Sequence, residues 1–190
     1  MKACFVRFAI VFYTALFFAA MLPGVLRHRD DVLVLGDKVL SGLFAGAVTA
    51  CGMVVLGVFS YRLLPVLRGL SDELGPLLVD DARRVDLVLV AVFSGVGEEV
   101  FFRGVLQPEL GIVLASLLFG VLHLGPDRRY LIWTFWAVGV GFLFGFLYER
   151  TGGLLAPIIA HVMHNAATLL IWKRYRTLKG LKGSTVEGRA

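Results

Sequence analysis

Three ionisable residues, Glu98, Glu99 and Arg103, stand inside an apolar stretch covering residues 87–106. At the centre of a membrane-spanning helix each such charge costs ~2.5–3.5 kcal/mol on insertion scales, so the trio calls for a compensating role. Two other apolar stretches carry polar groups of their own. One ends in Phe119-Gly-Val-Leu-His123 and the other holds His161-Val-Met-His164-Asn165. Helical geometry sorts these residues, because positions four apart share a face while neighbours point ~100° apart. Glu99 therefore pairs with Arg103 as a supporting ion pair. Glu98 points elsewhere, with Phe102 four residues on to cover it. His161 and Asn165 share one face, with His164 and Thr168 near its edge.

Glutamate, two histidines and an amide are suited to hydrolysis. A carboxylate in an apolar cavity accepts a proton from water near neutral pH, and a histidine beside it holds and polarises that water. A second histidine and an amide on one face can donate to the oxyanion that develops on a peptide carbonyl. These roles describe an acid-type protease without a covalent intermediate. Rival chemistries fit less well. Ser94-Gly95 resembles a serine-protease fragment but has no base at matching depth, and paired membrane aspartates are missing. Glu98, His123 and His161 form a minor alternative as zinc ligands, although no His-Glu-x-x-His is present. A haem held by two histidines would leave the buried carboxylate without a role. The expectation is no cofactor.

These residues need elements to position them, and the composition says which kind. Of 190 residues, roughly two-thirds are apolar when glycine is counted, against ~45–50% in soluble chains. Residues 8–26 and 39–61 hold no charge, and each matches the ~20 residues that cross a hydrocarbon core. The fold expected is all-α and polytopic, with about six spans at 8–26, 39–61, 86–107, 111–125, 130–148 and 154–172. The catalytic core lies in the third to sixth. The six prolines punctuate this pattern, with Pro108 and Pro126 closing the third and fourth spans and Pro157 opening the sixth. Residues 62–84 mix Leu and Val with charge and read as an amphipathic surface helix or lid. The chain thus divides into 1–84, two helices plus amphipathic linker; 85–173, the core; and 174–190, a basic flexible tail.

The first span reads as a retained helix, since its apolar run exceeds the ~7–15 residues of a secretory signal. Gly42-x-x-x-Gly46 and Gly141-x-x-x-Gly145 read as helix-packing positions within one bundle. Cys4 and Cys51 read as small hydrophobes. The formal charge of +5 follows the loops of a membrane protein, which argues against nucleic acid as a partner. With six spans, fourteen Lys/Arg share the side of the termini and four lie opposite, so both termini are expected in the cytoplasm. The tail, with Lys173, Arg174, Arg176, Lys179, Lys182 and Arg189, is placed among anionic headgroups.

Glu98-Glu99-x-x-x-Arg103, Phe119-x-x-x-His123 and His161-x-x-x-Asn165 together resemble the three motifs of the CAAX protease and bacteriocin-processing family, which includes glutamic intramembrane proteases of the Ras-converting-enzyme type. The resemblance implies that Glu98 activates water with His123, that His161 and Asn165 form the oxyanion site, and that Glu99 and Arg103 brace the helix. In size the chain is similar to the small bacterial branch, including the myxosortase type, which implies a multi-pass protein of the bacterial inner membrane. The implied partner is a membrane-associated protein or peptide substrate within the lipid bilayer, cut near a C-terminal anchor, tag or leader. The alternative is a membrane peptide binder or bacteriocin-immunity factor that keeps the fold without catalysis. The chain's own C-terminus, Glu187-Gly-Arg-Ala190, is no prenylation signal.

Overall fold

The computed structural model describes residues 2–27 and 31–180. The end of the basic tail, with Lys182 and Arg189, lies outside the described residues. All regular structure among the described residues is helical: α1 (Lys2–Arg27), α2 (Val39–Leu63), α3 (Pro65–Leu78), α4 (Arg84–Glu99), α5 (Gln107–Val121), α6 (Leu131–Thr151) and α7 (Leu155–Leu178). A π-helical segment, Val100–Leu106, joins α4 to α5 without a break. The chain is an all-α polytopic membrane protein. Four of its helical stretches are long and apolar enough to cross a bilayer: Val6–Leu26, Val39–Leu63, Arg128–Thr151 and Leu155–Leu178.

The distribution of side chains is that of a protein solvated by lipid. Phe8, Val11 and Phe18 of α1, Leu40, Phe44 and Phe59 of α2, and Phe135 and Phe146 of α6 are exposed, while Glu98, Glu99, Arg103, Gln107 and His161 are buried. Polar groups have no water to meet in hydrocarbon, so they turn inward and the apolar ones face out. Helix α2 packs along α7, α5 along α6, and α4 between α1 and α7. Both small-residue motifs serve these seams. A Cβ at Gly46 would lie 2.6 Å from the Ala156 carbonyl oxygen, and one at Gly141 would lie 3.0 Å from the Ser116 Cα.

The third and fourth spans differ from expectation at their junction. Pro108 does not end the helix. The Gln107 amide donates to the Phe102 carbonyl, five residues back, so a widened turn delivers the chain to a residue with no N–H to donate. The break comes at Gly111, where φ is 77° and ψ 164°, a backbone conformation open in practice to glycine alone. Ten helical residues then remain before Leu122, about 15 Å of rise, half a hydrocarbon core. The span expected at 111–125 is thus a short helix followed by the irregular segment 122–127. Irregular backbone at such depth is tolerated where protein buries it or a watery cavity adjoins it.

The two ends of the bundle are fastened differently. At one end the loop before α2 is stitched to the turn before α7. The Leu154 amide donates to the Val34 carbonyl (2.8 Å) and the Leu155 amide to the Leu35 carbonyl (3.2 Å). At the other end α3 and its linker are held by side chains. Arg176 makes a two-point contact with Asp80 (2.6 and 2.9 Å), the Lys173 ammonium donates to the Val79 carbonyl (2.9 Å), and Arg129 pairs with Glu73 (2.9 Å). Helix α7 continues through Leu178, so residues 174–178, counted with the flexible tail, are helical.

Candidate active site

Helix α4 and its π-helical continuation place Glu99, Arg103 and Gln107 in one stripe, four residues apart. Glu99 is fully buried, and its Oε1 accepts hydrogen bonds from the Arg103 Nη1 (3.0 Å) and the His161 Nδ1 (2.7 Å). Arg103 also donates to the Gly141 carbonyl (2.8 Å), and its guanidinium sits 4.8 Å from the Phe119 ring centre and 5.5 Å from that of Phe144. Gln107 repeats the pattern one turn on, donating to the Gly145 carbonyl (3.1 Å) and to Glu149 (2.9 Å). The glycines of α6 therefore let α5 approach and also bare two carbonyls that the polar stripe needs as acceptors. A charge buried this deeply is tolerated only with such partners.

Glu98 faces the other way. It is 7% exposed, the Tyr13 phenol of α1 lies beside its carboxylate, and its Oε2 is buried without a protein partner among the described residues. Phe102, expected as its cover, is packed edge-on against Phe119 at 4.9 Å. Close approach of α1 is possible because residue 97 is glycine: a Cβ there would lie 2.8 Å from the Tyr13 carbonyl oxygen.

The remaining groups come from α5 and α7. His123 stands just past the end of α5, and its Nδ1 donates to the Phe119 carbonyl (2.7 Å), which leaves Nε2 as the nitrogen open to a ligand. Phe119 lies 4.8 Å from the His123 ring and 6.2 Å from the His161 ring, so one aromatic residue touches both imidazoles. The Asn165 amide donates to the Ser94 Oγ (3.1 Å), which donates in turn to the Ala91 carbonyl. Ser94 is thus engaged with an amide and a carbonyl, and no histidine contacts it among the described residues. The structure joins Glu99, Arg103 and His161 directly and brings His123 beside them through Phe119. Glu98 and His123 make no direct hydrogen bond among the described residues. No three His, Cys, Asp or Glu side chains among those residues lie together as a set of metal ligands.

Sequence reasoning missed Tyr13, Gln107 and the Ser94–Asn165 contact. Gln107 had a signal, since it continues the spacing that pairs Glu99 with Arg103. Tyr13 had none, because a single tyrosine in an apolar helix is ordinary.

Buried charged and polar side chains gathered from α4, the π-helical segment, α5 and α7 define a polytopic protein with a polar cluster inside its apolar helices. Residues 82–167 match the profile of the family described as Type II CAAX prenyl endopeptidase Rce1-like, so this segment is similar to that family. It is 35% identical over 135 residues to YpbD of Bacillus subtilis strain 168, a protein described as uncharacterized, with 71% of this chain and 60% of YpbD covered. It is 27% identical over 147 residues to YdiL of the same organism, described as a candidate membrane peptidase, covering 72% of this chain and 57% of YdiL. The chain thus spans less than two-thirds of the curated relatives it matches. No solved structure matches it.

Proposed function

We propose that the chain is an intramembrane endopeptidase that hydrolyses a peptide bond near the C-terminal anchor, tag or leader of a membrane-associated protein, using glutamate- and histidine-activated water. The observation that carries this reading is Glu98, a buried carboxylate at membrane depth whose Oε2, like that of Glu99, has no hydrogen-bond partner among the described residues, beside a braced cluster of Glu99, Arg103 and His161. In the step proposed, the Glu98 Oε2 takes a proton from water and the remaining hydroxide oxygen attacks the carbonyl carbon. His123 accepts, at its open Nε2, a hydrogen bond from the second O–H of that water, and that hydrogen stays on the attacking oxygen and ends on the new carboxyl group. The oxyanion is met by the Asn165 amide, which has a second N–H, and by the His161 Nε2 when that ring carries both protons. Breaking the C–N bond returns the proton from Glu98 to the leaving nitrogen.

The test begins with cells lacking the chain, which should accumulate an uncleaved membrane protein. That protein, in vesicles of phosphatidylethanolamine and phosphatidylglycerol, should be cut by the purified chain in the presence of a strong chelator. Activity lost to the chelator and restored by zinc would move Glu98, His123 and His161 into ligand roles. Binding without cleavage would replace the enzyme with the peptide-binding alternative.

The reading also places the chain in a bacterial inner membrane, with six crossings and both termini in the cytoplasm. The loops at 31–38 and 152–154 meet at one end of the bundle, and the Lys/Arg-rich segments at 62–84, 128–129 and 173–180 gather at the other, as the positive-inside rule requires. With Cys4 and Cys51 replaced by serine, an impermeant thiol reagent on intact cells should label Asp37→Cys and spare Thr177→Cys. The opposite pattern would invert this orientation.

A further inference from the structure

We infer that Ser94, a buried serine of α4 that no step of the proposed hydrolysis uses, is a positioning residue. Its hydroxyl fixes which way round the Asn165 amide sits and so keeps an N–H, not a carbonyl oxygen, available to the oxyanion. The inference rests on the reading of Asn165 as an oxyanion donor.

A serine hydroxyl carries one hydrogen, and in Ser94 that hydrogen is spent. Ser94 is 3% exposed, and its Oγ lies 3.2 Å from the Ala91 carbonyl oxygen, an atom that can only accept. The Oγ is left with lone pairs to offer. The end of Asn165 that meets it at 3.1 Å is therefore the amide nitrogen and not the amide oxygen. An asparagine amide turned by half a circle fills nearly the same space, so its hydrogen-bond partners decide between the two orientations. Turned the other way, Asn165 would set a carbonyl oxygen against the negative oxygen of the reaction where a donor is needed. The contact has a firm support, because α4 and α7 press together beside it. A Cβ on the next residue, Gly95, would lie 3.0 Å from the Val162 amide nitrogen. Asn165 itself is only half-buried, so protein does not seal the amide on every side. The same arrangement recurs one turn along α7, where Glu99 of α4 takes the His161 Nδ1 at 2.7 Å. Helix α4 thus engages one N–H of each group that α7 contributes to the proposed oxyanion site. Donors held in place before the charge develops stabilise it without a cost of reorganisation, and such holding falls to the residues behind them. Ser94 touches neither substrate nor water in this account and acts through Asn165.

The test compares Ser94→Ala, Ser94→Thr and Asn165→Ala in the full-length purified chain, with the membrane protein that accumulates in the deletion strain as substrate. Asn165→Ala removes an oxyanion donor and should lower kcat about 10²–10³-fold. Ser94→Ala leaves the donor in place with its orientation unfixed. It should lower kcat about twofold to tenfold with KM unchanged, the range that one neutral hydrogen bond supports. Ser94→Thr keeps a hydroxyl on the same carbon and should restore most of kcat. Ser116→Ala, the loss of an equally buried serine hydroxyl on α5, should leave both constants as they were. Adding Ser94→Ala to Asn165→Ala should cost nothing further. A readout without substrate accompanies the kinetics: in nitrogen-15 magnetic resonance spectra, the Asn165 side-chain amide signal is assigned by its loss in Asn165→Ala. That signal should shift in Ser94→Ala and return in Ser94→Thr. The outcomes separate the two ideas. If Asn165→Ala retains turnover, the oxyanion assignment itself fails. If Asn165→Ala is impaired while Ser94→Ala keeps kcat and the amide signal, the positioning role is overturned and the oxyanion assignment stands. A Ser94→Ala chain that loses activity through KM alone, only in step with thermal stability, or equally in the Asn165→Ala background overturns it as well.

Discussion

Glu98 and Glu99 are neighbours in the chain and opposites in surroundings. Glu99 turns toward α6 and α7, where a guanidinium and an imidazole share one of its oxygens. Glu98 turns toward α1 and meets a neutral phenol. The ~100° that separates consecutive helical residues thus divides one dipeptide into a braced carboxylate and the one proposed as the base. The lesson is that a charge inside a membrane is read from its partners. Where opposite charge closes around it the charge holds structure, and where only a weak donor reaches it the charge is available for chemistry.

The comparison breaks if the two glutamates respond alike to loss of charge. Glu98→Gln should cost ~10²–10⁴-fold in turnover, with the melting temperature in detergent unchanged, because it removes a base and keeps the shape. Glu99→Gln should do the reverse. It leaves Arg103 buried without its counter-charge, and the expected loss is about 3–5 kcal/mol of stability, read as a lower folded fraction and lower abundance. Replacing the pair together, as Glu99→Leu with Arg103→Met, should recover much of that loss without recovering full activity, since His161 then has no carboxylate to orient it.

Smaller effects are expected toward the bundle ends. Arg176 and Asp80 form a pair as short as any in the interior, 96 positions apart in sequence and close to the headgroup region. Arg176→Gln should cost about 1–3 kcal/mol and expose the segment 79–83 to added protease, because water replaces part of what is lost. The smallest response belongs to Asp127, whose carboxyl the neighbouring Arg129 holds below its ordinary range. A depressed carboxyl contributes stability above its unfolded-state value and loses it as pH falls through the folded one. The effect of Arg129→Ala should therefore be confined to neutral and mildly acidic solution and vanish in strong acid. Both groups are exposed at the surface, so melting curves at physiological salt should barely register the change.

How much of this could be read beforehand follows from which forces are local. The Glu99–Arg103 pair was readable because it is made within one helix turn, and the inward turn of the histidines because hydrocarbon leaves polar groups nowhere else to go. The amphipathic segment at 62–84 was readable from its mixture of charge and Leu, and α3 occupies it. The π-helical turn was not, since it is a compromise between Pro108 and the packing of α5 on α6. The halving of the fourth span was hidden for a similar reason: one glycine, Gly111, sets the break, and glycines elsewhere in these helices do not break them. Tyr13 needed the tertiary fold, because nothing in α1 says which helix its tyrosine will meet.

The stitch between residues 34–35 and 154–155 carries a consequence for how the molecule is made. The two carbonyls at the first loop leave the ribosome about 120 residues before the amides that will bond to them. Helices α1 and α2 are therefore made first, and the loop before α2 presents acceptors to a helix that is not yet written. Glu99 and Arg103 emerge together and can neutralise one another within a single turn while they wait. His161 and Asn165 arrive last, on the helix that closes the stitch, so the order of synthesis withholds the full proposed site until the whole bundle is present.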